Sequence, residues 1–202
     1  GPDFQKNNDR IQDKLKFIDS TFLTTDPNSL THKILNSHFI PNPCDESFET
    51  LRNYENHCVN DVFFAMSHGV HRGGLKKGKF DEREIFLNRI IKKSPDIRFD
   101  VYGLNDRQPV WADNYINAIS ESKMGLNLSQ GIAAKYYSSD RFSQIIGNGL
   151  LLLIDEKTQF GNFLNNNEII TYNNANDLSE KIDKYSNDDN LRKKIAKNGR
   201  NK

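Results

Sequence analysis

Hydrophobic residues occur along the chain in two patterns, short unbroken runs and longer stretches in which they recur every three or four positions. Unbroken runs stand at 62–66 and 150–154, and such runs favour strands that are buried on both faces. Helical spacing appears in stretches such as the one around Ile85 and Ile90. The two patterns alternate from residue 61 onward, which is typical of a parallel sheet covered by helices on both faces.

The predicted elements follow from these patterns and from helix-capping residues. Asp81 and the pair Ser138-Ser139 are of types that cap helix N-termini, and Gly149 offers the left-handed backbone that ends a helix. We therefore predict an α/β fold, a Rossmann-like parallel sheet with helices on both faces. Strands are expected at 61–68, 98–103, 123–129, 150–155 and 168–173, and helices at 82–94, 112–122, 139–148 and from 177 to the end.

Residues 1–60 lack this alternation and are too short for a domain of ordinary size. The prolines of the segment 39–43 favour an extended connector between lobes. We therefore divide the chain into an N-terminal segment and linker, 1–60, expected to be the remnant of a preceding lobe, and a Rossmann-like domain, 61–202. The elements expected in the first part are a helix near 10–17, a strand at 20–25 and a short helix at Pro27.

The two ends of the sequence indicate an excised piece of a longer protein. Gly1-Pro2 stands in place of an initial Met and is typical of what remains after an affinity tag is cleaved. The last residues, 191–202, stop within a basic helical pattern.

The charge balance and the cysteine content exclude several functional classes. The 202 residues include 28 Lys and Arg against 27 Asp and Glu, a net charge of +1, so the chain as a whole does not attract nucleic acid. No apolar stretch approaches the roughly 18 residues that span a bilayer. Cys44 and Cys58 lack metal-ligand spacing and cannot form a disulfide framework, which favours a reducing compartment. We therefore expect a cytoplasmic protein that binds no nucleic acid.

The loop after the first predicted strand of the domain is a candidate anion site, because ligands of open α/β sheets bind outside the carboxyl ends of the strands. Its glycines allow the backbone to approach a ligand closely, and Arg72 and Lys77 are suited to neutralise a diphosphate. The spacing matches neither a P-loop nor a dinucleotide fingerprint, and a solvated basic loop is the alternative. The candidate residues are Gly69, His71, Arg72, Gly73 and Lys77.

A second candidate loop, 137–141, opens the third predicted helix of the domain. Backbone amides and the helix dipole at that point favour a phosphate, although Ser-Ser-Asp is equally a good helix cap. Arg141 stands in the first turn, where the dipole disfavours a cation unless an anion lies beside it. The candidate residues are Tyr137, Ser138, Ser139, Asp140, Arg141 and, one turn further on, Gln144.

Two further strand exits are candidates for contacts with a base or a ribose, although ordinary turns have the same composition. Trp111 and Tyr115 are interpreted as core or groove-wall aromatic residues. His68 and His71 have no acidic or cysteine partner in register, so no metal site is expected. The candidate residues at the two exits are Tyr102, Gly103, Asn127 and Ser129.

The order of these features resembles the C-terminal, donor-binding lobe of GT-B glycosyltransferases. The resemblance covers roughly residues 61–200 and includes the helix end 144–149 that precedes the strand 150–153. In the retaining group-1 branch of that family, an Arg and a Lys five positions apart, the Lys followed by Gly, bind the donor diphosphate. Arg72 and Lys77-Gly78 have this spacing.

The acidic residues of that branch are not matched. The branch has a ribose-binding Glu at the position of Gln144 and another Glu eight residues earlier, where this chain has Tyr136. Gln144 is able to hydrogen-bond a ribose but carries no charge, so the retaining or inverting outcome does not transfer. The segment 137–141 is more similar to the bacterial spore-maturation-protein-like branch, which builds surface polysaccharide or lipopolysaccharide sugars.

The resemblance implies a glycosyltransferase that binds a nucleotide-diphosphate sugar and transfers the sugar to a glycan or lipid-linked acceptor in surface polysaccharide synthesis. Arg72, Lys77 and the helix N-terminus near Ser139 would stabilise the leaving diphosphate without a metal ion or another cofactor. The acceptor site and any general base would lie on the missing lobe, so the isolated fragment is expected to be inactive. Contact with the inner face of the membrane would also involve missing parts.

Two other classes are compatible with an α/β domain. A non-catalytic module that binds a nucleotide, a phosphorylated sugar or a partner protein is the main alternative. A flavodoxin-like regulatory domain would need an acidic cluster at the exit of its first strand, and that exit is basic here.

Overall fold

The computed structural model describes residues 12–30, 33–67, 81–129, 131 and 133–202. Within these ranges the chain forms a two-stranded and a five-stranded sheet, both parallel. The first contains β1 (Thr21–Leu23) and β2 (Ser37–Phe39), and the second contains β3 (Asn60–Ala65), β4 (Phe99–Tyr102), β5 (Ser122–Asn127), β6 (Leu151–Asp155) and β7 (Ile170–Tyr172).

Helices cover the larger sheet. In the described ranges they are α1 (Glu82–Lys93), α2 (Ala112–Ser120), α3 (Arg141–Gly147), α4 (Ala175–Asn187) and α5 (Asp189–Arg200). Single helical turns occur at 12–15, Pro27–Ser29, Glu156–Thr158 and Phe160–Asn162. Among the described residues, none of the helices combines the length and the hydrophobicity that crossing a membrane requires.

The order of the strands, β4-β3-β5-β6-β7, locates the place where a ligand is expected. The chain passes from β3 outward to β4, returns to the other side of β3 to form β5, and continues outward through β6 to β7. All neighbouring pairs are parallel. The direction of progress reverses between β3 and β5, which is the topological switch point of such a sheet. The predicted fold class is confirmed.

Alternate residues of the central strands pack on opposite faces of the sheet. On one face, Val62 and Phe64 of β3 lie in a cluster with side chains from α1, α4 and α5. On the other face, Phe63 packs with Ile119 of α2 and Ile145 of α3. All five side chains are fully buried. Because both faces are covered, the hydrophobic run in β3 is unbroken rather than alternating.

The ends of two predicted helices differ from the structure. The third helix was expected to be capped by Ser138 or Ser139, but α3 begins only at Arg141, after Asp140. This capping prediction is wrong, and the Ser139 hydroxyl has another partner. The single helix predicted from residue 177 to the end is two helices, because Asp188 ends α4 and its carboxylate caps the start of α5.

Residues just before β3 pack against the domain. Asn53 is fully buried, and its Nδ2 donates hydrogen bonds to the carbonyl oxygens of Ile119 at 2.7 Å and Ser122 at 2.8 Å. Its backbone N–H donates to the carbonyl of Asn148 at 3.1 Å. These bonds join the predicted linker to the α2–β5 connection and to the end of α3. The assignment of residues 1–60 to a preceding lobe stays a prediction.

Candidate functional site

The carboxyl ends of β3 and β5 open into a cleft of about 490 Å³. The cleft lies at the switch point, where ligands of such sheets bind. Trp111 and Tyr115 both line it, as the groove-wall interpretation expects. Its β3 side consists of Ala65, Met66 and Ser67, its α3 side of Ser139, Asp140, Arg141 and Gln144, and its α2 side of Val110, Trp111, Ala112, Asp113, Tyr115 and Ile116.

Arg141 ties the ends of the two central strands together. Its Nη1 donates to the carbonyl oxygen of Ala65 at 2.6 Å, and its Nη2 donates to that of Leu128 at 2.8 Å. The guanidinium also lies 4.8 Å from the ring centroid of Phe64. Burial lowers the pKa of Arg141 to about 10, so the group remains charged at neutral pH. Two backbone carbonyls are thus partners of Arg141 in this structure, and the expectation that it also binds an anion stays a prediction.

Ser139 connects α3 to β5. Its Oγ donates to Oδ1 of Asn127 at 2.9 Å, and Asn127 is buried at the carboxyl end of β5. In the described part of the chain, Nδ2 of Asn127 and Oγ of Ser138 are enclosed without a hydrogen-bond partner. Unpaired buried polar groups are uncommon and mark places where water, an ion or a ligand completes the bonding. Ser139 is thus held beside the cleft by a buried amide.

Gln144 and Tyr115 meet within the cleft. The Tyr115 hydroxyl donates to Oε1 of Gln144 at 2.7 Å. The tyrosine ring packs edge-on against Phe63, with the ring centroids 5.3 Å apart. Burial raises the pKa of Tyr115, so its hydroxyl keeps its proton at neutral pH. The Gln144 side chain is therefore oriented by a neutral donor on the neighbouring helix.

Tyr102 and Gly103 lie on different sides of the β4 exit. Tyr102 lines a second cleft of about 650 Å³, where the Arg107 guanidinium lies 3.8 Å from its ring centroid. Arg107 also forms an ion pair with the buried Asp100 at 2.7 Å. Gly103 has φ +81° and lies directly against the Met66 carbonyl group. Gly103 therefore supports the β3 side of the first cleft, and Tyr102 belongs to the second.

The remaining predicted site residues are placed as follows. Ser129 is half-buried just beyond β5, and Tyr137 and Asp140 are exposed. Among the residues that the structure describes, no three His, Cys, Asp or Glu side chains are grouped as a metal ion would require. The predictions for the basic loop lie outside the described residues, namely those for Gly69, His71, Arg72, Gly73 and Lys77.

The N-terminal segment packs against the loop that leads to Ser138 and Ser139. The sequence did not predict these contacts. The Asp26 carboxylate pairs with Nζ of Lys135 at 2.9 Å, and the Asp26 N–H donates to the Lys135 carbonyl at 3.0 Å. The ring of Phe39 packs against those of Tyr136 and Phe163, with centroids 5.1 and 5.4 Å apart. These partners lie about a hundred residues apart in sequence, so no local pattern indicates them.

Asp26 makes the attachment of this segment dependent on pH. Hydrogen bonds from Lys135 and from the Asn28 N–H hold the pKa of Asp26 below its ordinary value. A carboxylate with a lowered folded-state pKa contributes stability that is complete above its unfolded-state pKa of about 3.9 and is lost as pH falls through the folded-state value. We therefore expect Asp26→Asn to be less stable than the unchanged protein at about pH 6, with a difference that shrinks below about pH 4.

Urea unfolding followed from about pH 6 to about pH 3 measures this difference. Asp96→Asn serves as the control, because Asp96 is exposed just beyond the end of α1 and its side chain has no ion pair or hydrogen bond in the described part of the chain. A gap between Asp26→Asn and the unchanged protein that widens towards acid pH would contradict the assignment.

Two solved structures are similar in fold to this chain. The crystal structure of TarM is similar over 97% of this chain and 42% of its own, with 15% identity and a TM-score of 0.64. Sucrose-phosphate synthase from Thermosynechococcus elongatus is similar over 96% of this chain and 56% of its own, with 12% identity and a TM-score of 0.54. The chain thus spans about half the length of these structures. The chain has the fold of the C-terminal lobe of GT-B glycosyltransferases.

The sequence profile of the glycosyl transferase-like family matches residues 82–202, more than half of the chain. The protein belongs to this family, and the resemblance stated from the sequence is confirmed. No curated protein matches the chain significantly. The family match begins at the start of α1, so the structural support from Asp26 and Phe39 comes from outside the matched region.

Proposed function

We propose that this chain is the donor-binding lobe of a glycosyltransferase and that its cleft binds the nucleoside diphosphate of a nucleotide-sugar donor. The observation that supports this most is a cleft of about 490 Å³ at the switch point of a chain in the glycosyl transferase-like family. Clefts of about 300–1,000 Å³ with mixed apolar and polar lining are typical of small-molecule sites.

The lining of the cleft suits the two chemical halves of a nucleotide. On the α2 side, Trp111 and Ile116 are exposed and offer apolar surface to a nucleobase. On the α3 side, Gln144 and Ser139 offer hydrogen-bonding groups to a ribose and its phosphates. A ligand that is apolar and planar at one end and polar at the other would therefore fill the cleft.

We assign the charge of the diphosphate to Arg72 and Lys77, as the resemblance implies. In the described cleft, Nη1 and Nη2 of Arg141 already donate to the carbonyls of Ala65 and Leu128, so we assign most of the neutralising charge to cations outside the described residues. Cations that face the leaving diphosphate stabilise the charge that develops on it as the bond to the sugar breaks. We propose that the reaction proceeds in this way without a metal ion.

The complete reaction needs more than this chain. The chain spans 42% and 56% of the two similar structures, and we assign acceptor binding and any general base to the remaining part. The acceptor we propose is a glycan or a lipid-linked sugar of surface polysaccharide synthesis, reached at the inner face of the membrane. The isolated chain should then bind donor without transferring the sugar.

Calorimetric titration with uridine, guanosine and adenosine diphosphates tests the proposal. We expect saturable binding of one of them and a weakening of a few kcal/mol at most for Arg72→Ala, which is the scale of a charge-assisted hydrogen bond. Arg98→Ala is the matched control, because Arg98 is exposed near the start of β4, at the other end of the sheet. Absence of saturable binding for all three nucleotides would overturn the donor-site proposal.

A non-catalytic binding module is the second candidate. The observation that favours it is the neutral Gln144, with Tyr136 eight residues earlier, at the two positions where the group-1 enzymes have glutamates. Hydrolysis or transfer of a nucleotide sugar by the full-length protein would favour the enzyme. Nucleotide binding without turnover by that protein would favour the module.

A further inference from the structure

We propose that Tyr115 is a positioning residue that makes Gln144 a hydrogen-bond donor to the ligand, so that the cleft recognises an acceptor oxygen of the nucleotide. This inference rests on the proposed function, since it concerns which group of the ligand the same cleft recognises by hydrogen bonding. The observation behind it is the bond from the Tyr115 hydroxyl to Oε1 of Gln144 at 2.7 Å. Both side chains line the cleft and are half-buried.

The bond fixes which end of the amide is available. A phenol has one proton to donate, and Tyr115 donates it to Oε1. In the described part of the chain no residue accepts a hydrogen bond from Nε2 of Gln144, and Nε2 is not among the enclosed atoms that lack a partner. The amide therefore offers its two N–H groups to a molecule in the cleft.

Both partners are held by rigid elements. Tyr115 lies on α2 and packs edge-on against Phe63 of the central strand β3. On α3, the Gln144 N–H donates to the Asp140 carbonyl at 3.1 Å, and the Gln144 carbonyl accepts from Nδ2 of Asn148 at 2.8 Å. Rotation of the amide would turn Nε2 towards the Tyr115 oxygen and would leave the hydroxyl proton without its acceptor Oε1. The orientation of Gln144 is thus set by α2 and not by α3 alone.

A glutamate at this position would present the opposite polarity. One carboxylate oxygen would accept from Tyr115 and the other would face the cleft as an acceptor, so it would bind a donor such as a hydroxyl proton. Gln144 instead requires an oxygen that accepts. On a nucleoside diphosphate that oxygen belongs either to a ribose hydroxyl or to a phosphate, and both are acceptors of the same N–H.

Gln144→Glu tests whether residue 144 donates the hydrogen bond to the ligand. The probe is whichever of uridine, guanosine and adenosine diphosphate binds best. If the bound oxygen belongs to a phosphate, we expect affinity at about pH 7.5 to fall about tenfold, because a carboxylate cannot donate, and to recover as pH falls and the new carboxyl group becomes protonated. If it belongs to a ribose hydroxyl, that hydroxyl can donate to the carboxylate instead, and affinity should be kept. The other described ionisable groups that line the cleft are Asp113 and Tyr115 on α2, Asp140 directly before α3, and Arg141 on α3. They are the same in both proteins, so the affinity ratio isolates the new carboxyl group.

Tyr115→Phe tests whether Tyr115 positions the amide of Gln144. Deoxy analogues of the same nucleotide distinguish this role from a merely structural one. We expect about a three- to tenfold loss of affinity. If the acceptor is a ribose oxygen, the 2′-deoxy or the 3′-deoxy analogue should bind the unchanged protein more weakly, and Tyr115→Phe should no longer discriminate against it. If the acceptor is a phosphate oxygen, the loss should persist for both analogues and disappear for the free nucleoside.

The possible results bear on two separate claims, the roles of Tyr115 and Gln144 and the binding of a nucleotide. Unchanged affinity in Tyr115→Phe would overturn this inference while leaving nucleotide binding in place. So would undiminished affinity of Gln144→Glu at about pH 7.5 for a nucleotide whose 2′-deoxy and 3′-deoxy analogues bind as tightly as it does. A uniform loss for every ligand in Tyr115→Phe, the free nucleoside included, would assign Tyr115 a structural role only and would also overturn it. Failure of the unchanged protein to bind any of the three nucleotides would instead overturn the proposed function.

Discussion

Gly103→Ala is expected to destabilise the protein by about 3 kcal/mol or more. Gly103 has φ +81°, a conformation that costs an L-residue about 1–2 kcal/mol. An added Cβ would also overlap the carbonyl oxygen of Met66 and lie 2.9 Å from its carbonyl carbon. Neither group can move freely, since the Met66 N–H donates to the Tyr102 carbonyl at 3.0 Å and the Gly103 N–H to the Arg107 carbonyl at 3.0 Å. Folded domains have about 5–15 kcal/mol of stability, so the loss is large.

Gly131→Ala is the matched control for this change. Gly131 also has a left-handed conformation, with φ +71°, but no atom of the described residues lies within 4 Å of the added Cβ. We expect it to cost only the conformational part, about 1 kcal/mol. Equilibrium unfolding in urea measures both variants. Equal losses of unfolding free energy in the two variants would show that the close approach of Gly103 to Met66 does not contribute to the destabilisation.

Gly103→Ala also bears on the cleft. Met66 lines the β3 side, so a displaced Met66 carbonyl changes the shape of the site itself. Affinity for the bound nucleoside diphosphate should therefore fall in the fraction of Gly103→Ala that remains folded, and Gly131→Ala should keep it. Titration at a temperature where both variants are folded separates this effect from the loss of stability.

The elements with local signals could be predicted from the sequence. The runs at 62–66 and 150–154 lie in buried strands because both faces of the sheet are covered, which makes every residue of the run apolar. Asp81 caps α1 as its position indicates, with its carboxylate accepting from the Arg83 N–H at 2.9 Å. Gly149 follows α3 with φ +76°, which is the conformation expected of a residue that ends a helix.

Other elements depend on partners that lie far away in sequence. The strand β2 has no hydrophobic run and forms because it pairs with β1, with Ser37 opposite Thr21. The start of α3 was predicted too early because Ser139 has the composition of a cap, while its hydroxyl bonds the side chain of Asn127 instead. A local pattern cannot indicate whether a hydroxyl will bond the backbone of a nearby helix start or a side chain that lies farther away in sequence.

The position of the candidate site could be predicted, but its internal bonding could not. The rule that ligands bind beyond the carboxyl ends of strands led to Ser139 and Gln144, and both line the cleft. The bond between Gln144 and Tyr115 joins residues 29 positions apart on different helices, so the local sequence around either residue does not indicate it. The roles assigned to Arg72 and Lys77 stay predictions.

Arg141→Met is expected to lower both stability and nucleotide affinity. The substitution removes two charge-assisted hydrogen bonds, to the carbonyls of Ala65 and Leu128, and leaves both oxygens without their partner. Hydrogen bonds to charged groups contribute about 1.5–3 kcal/mol each, and water entering the cleft can restore part of this, so we expect a loss of about 3 kcal/mol. Without the cross-link, the ends of β3 and β5 are free to separate, and affinity should fall about tenfold or more.

The two interpretations of Arg141 differ in the ligand-free protein. An arginine that serves to bind an anion would be repelled by the helix dipole when the cleft is empty, so Arg141→Met would then leave stability unchanged or raise it. An arginine that joins β3 to β5 lowers stability on removal whether or not a nucleotide is present. Arg141→Lys keeps the charge but offers one ammonium group in place of the planar fork, and it should recover only part of the loss. Urea unfolding without nucleotide measures the difference directly. Arg89→Met is the control, because Arg89 is exposed on α1 and its side chain has no ion pair or hydrogen bond among the described residues.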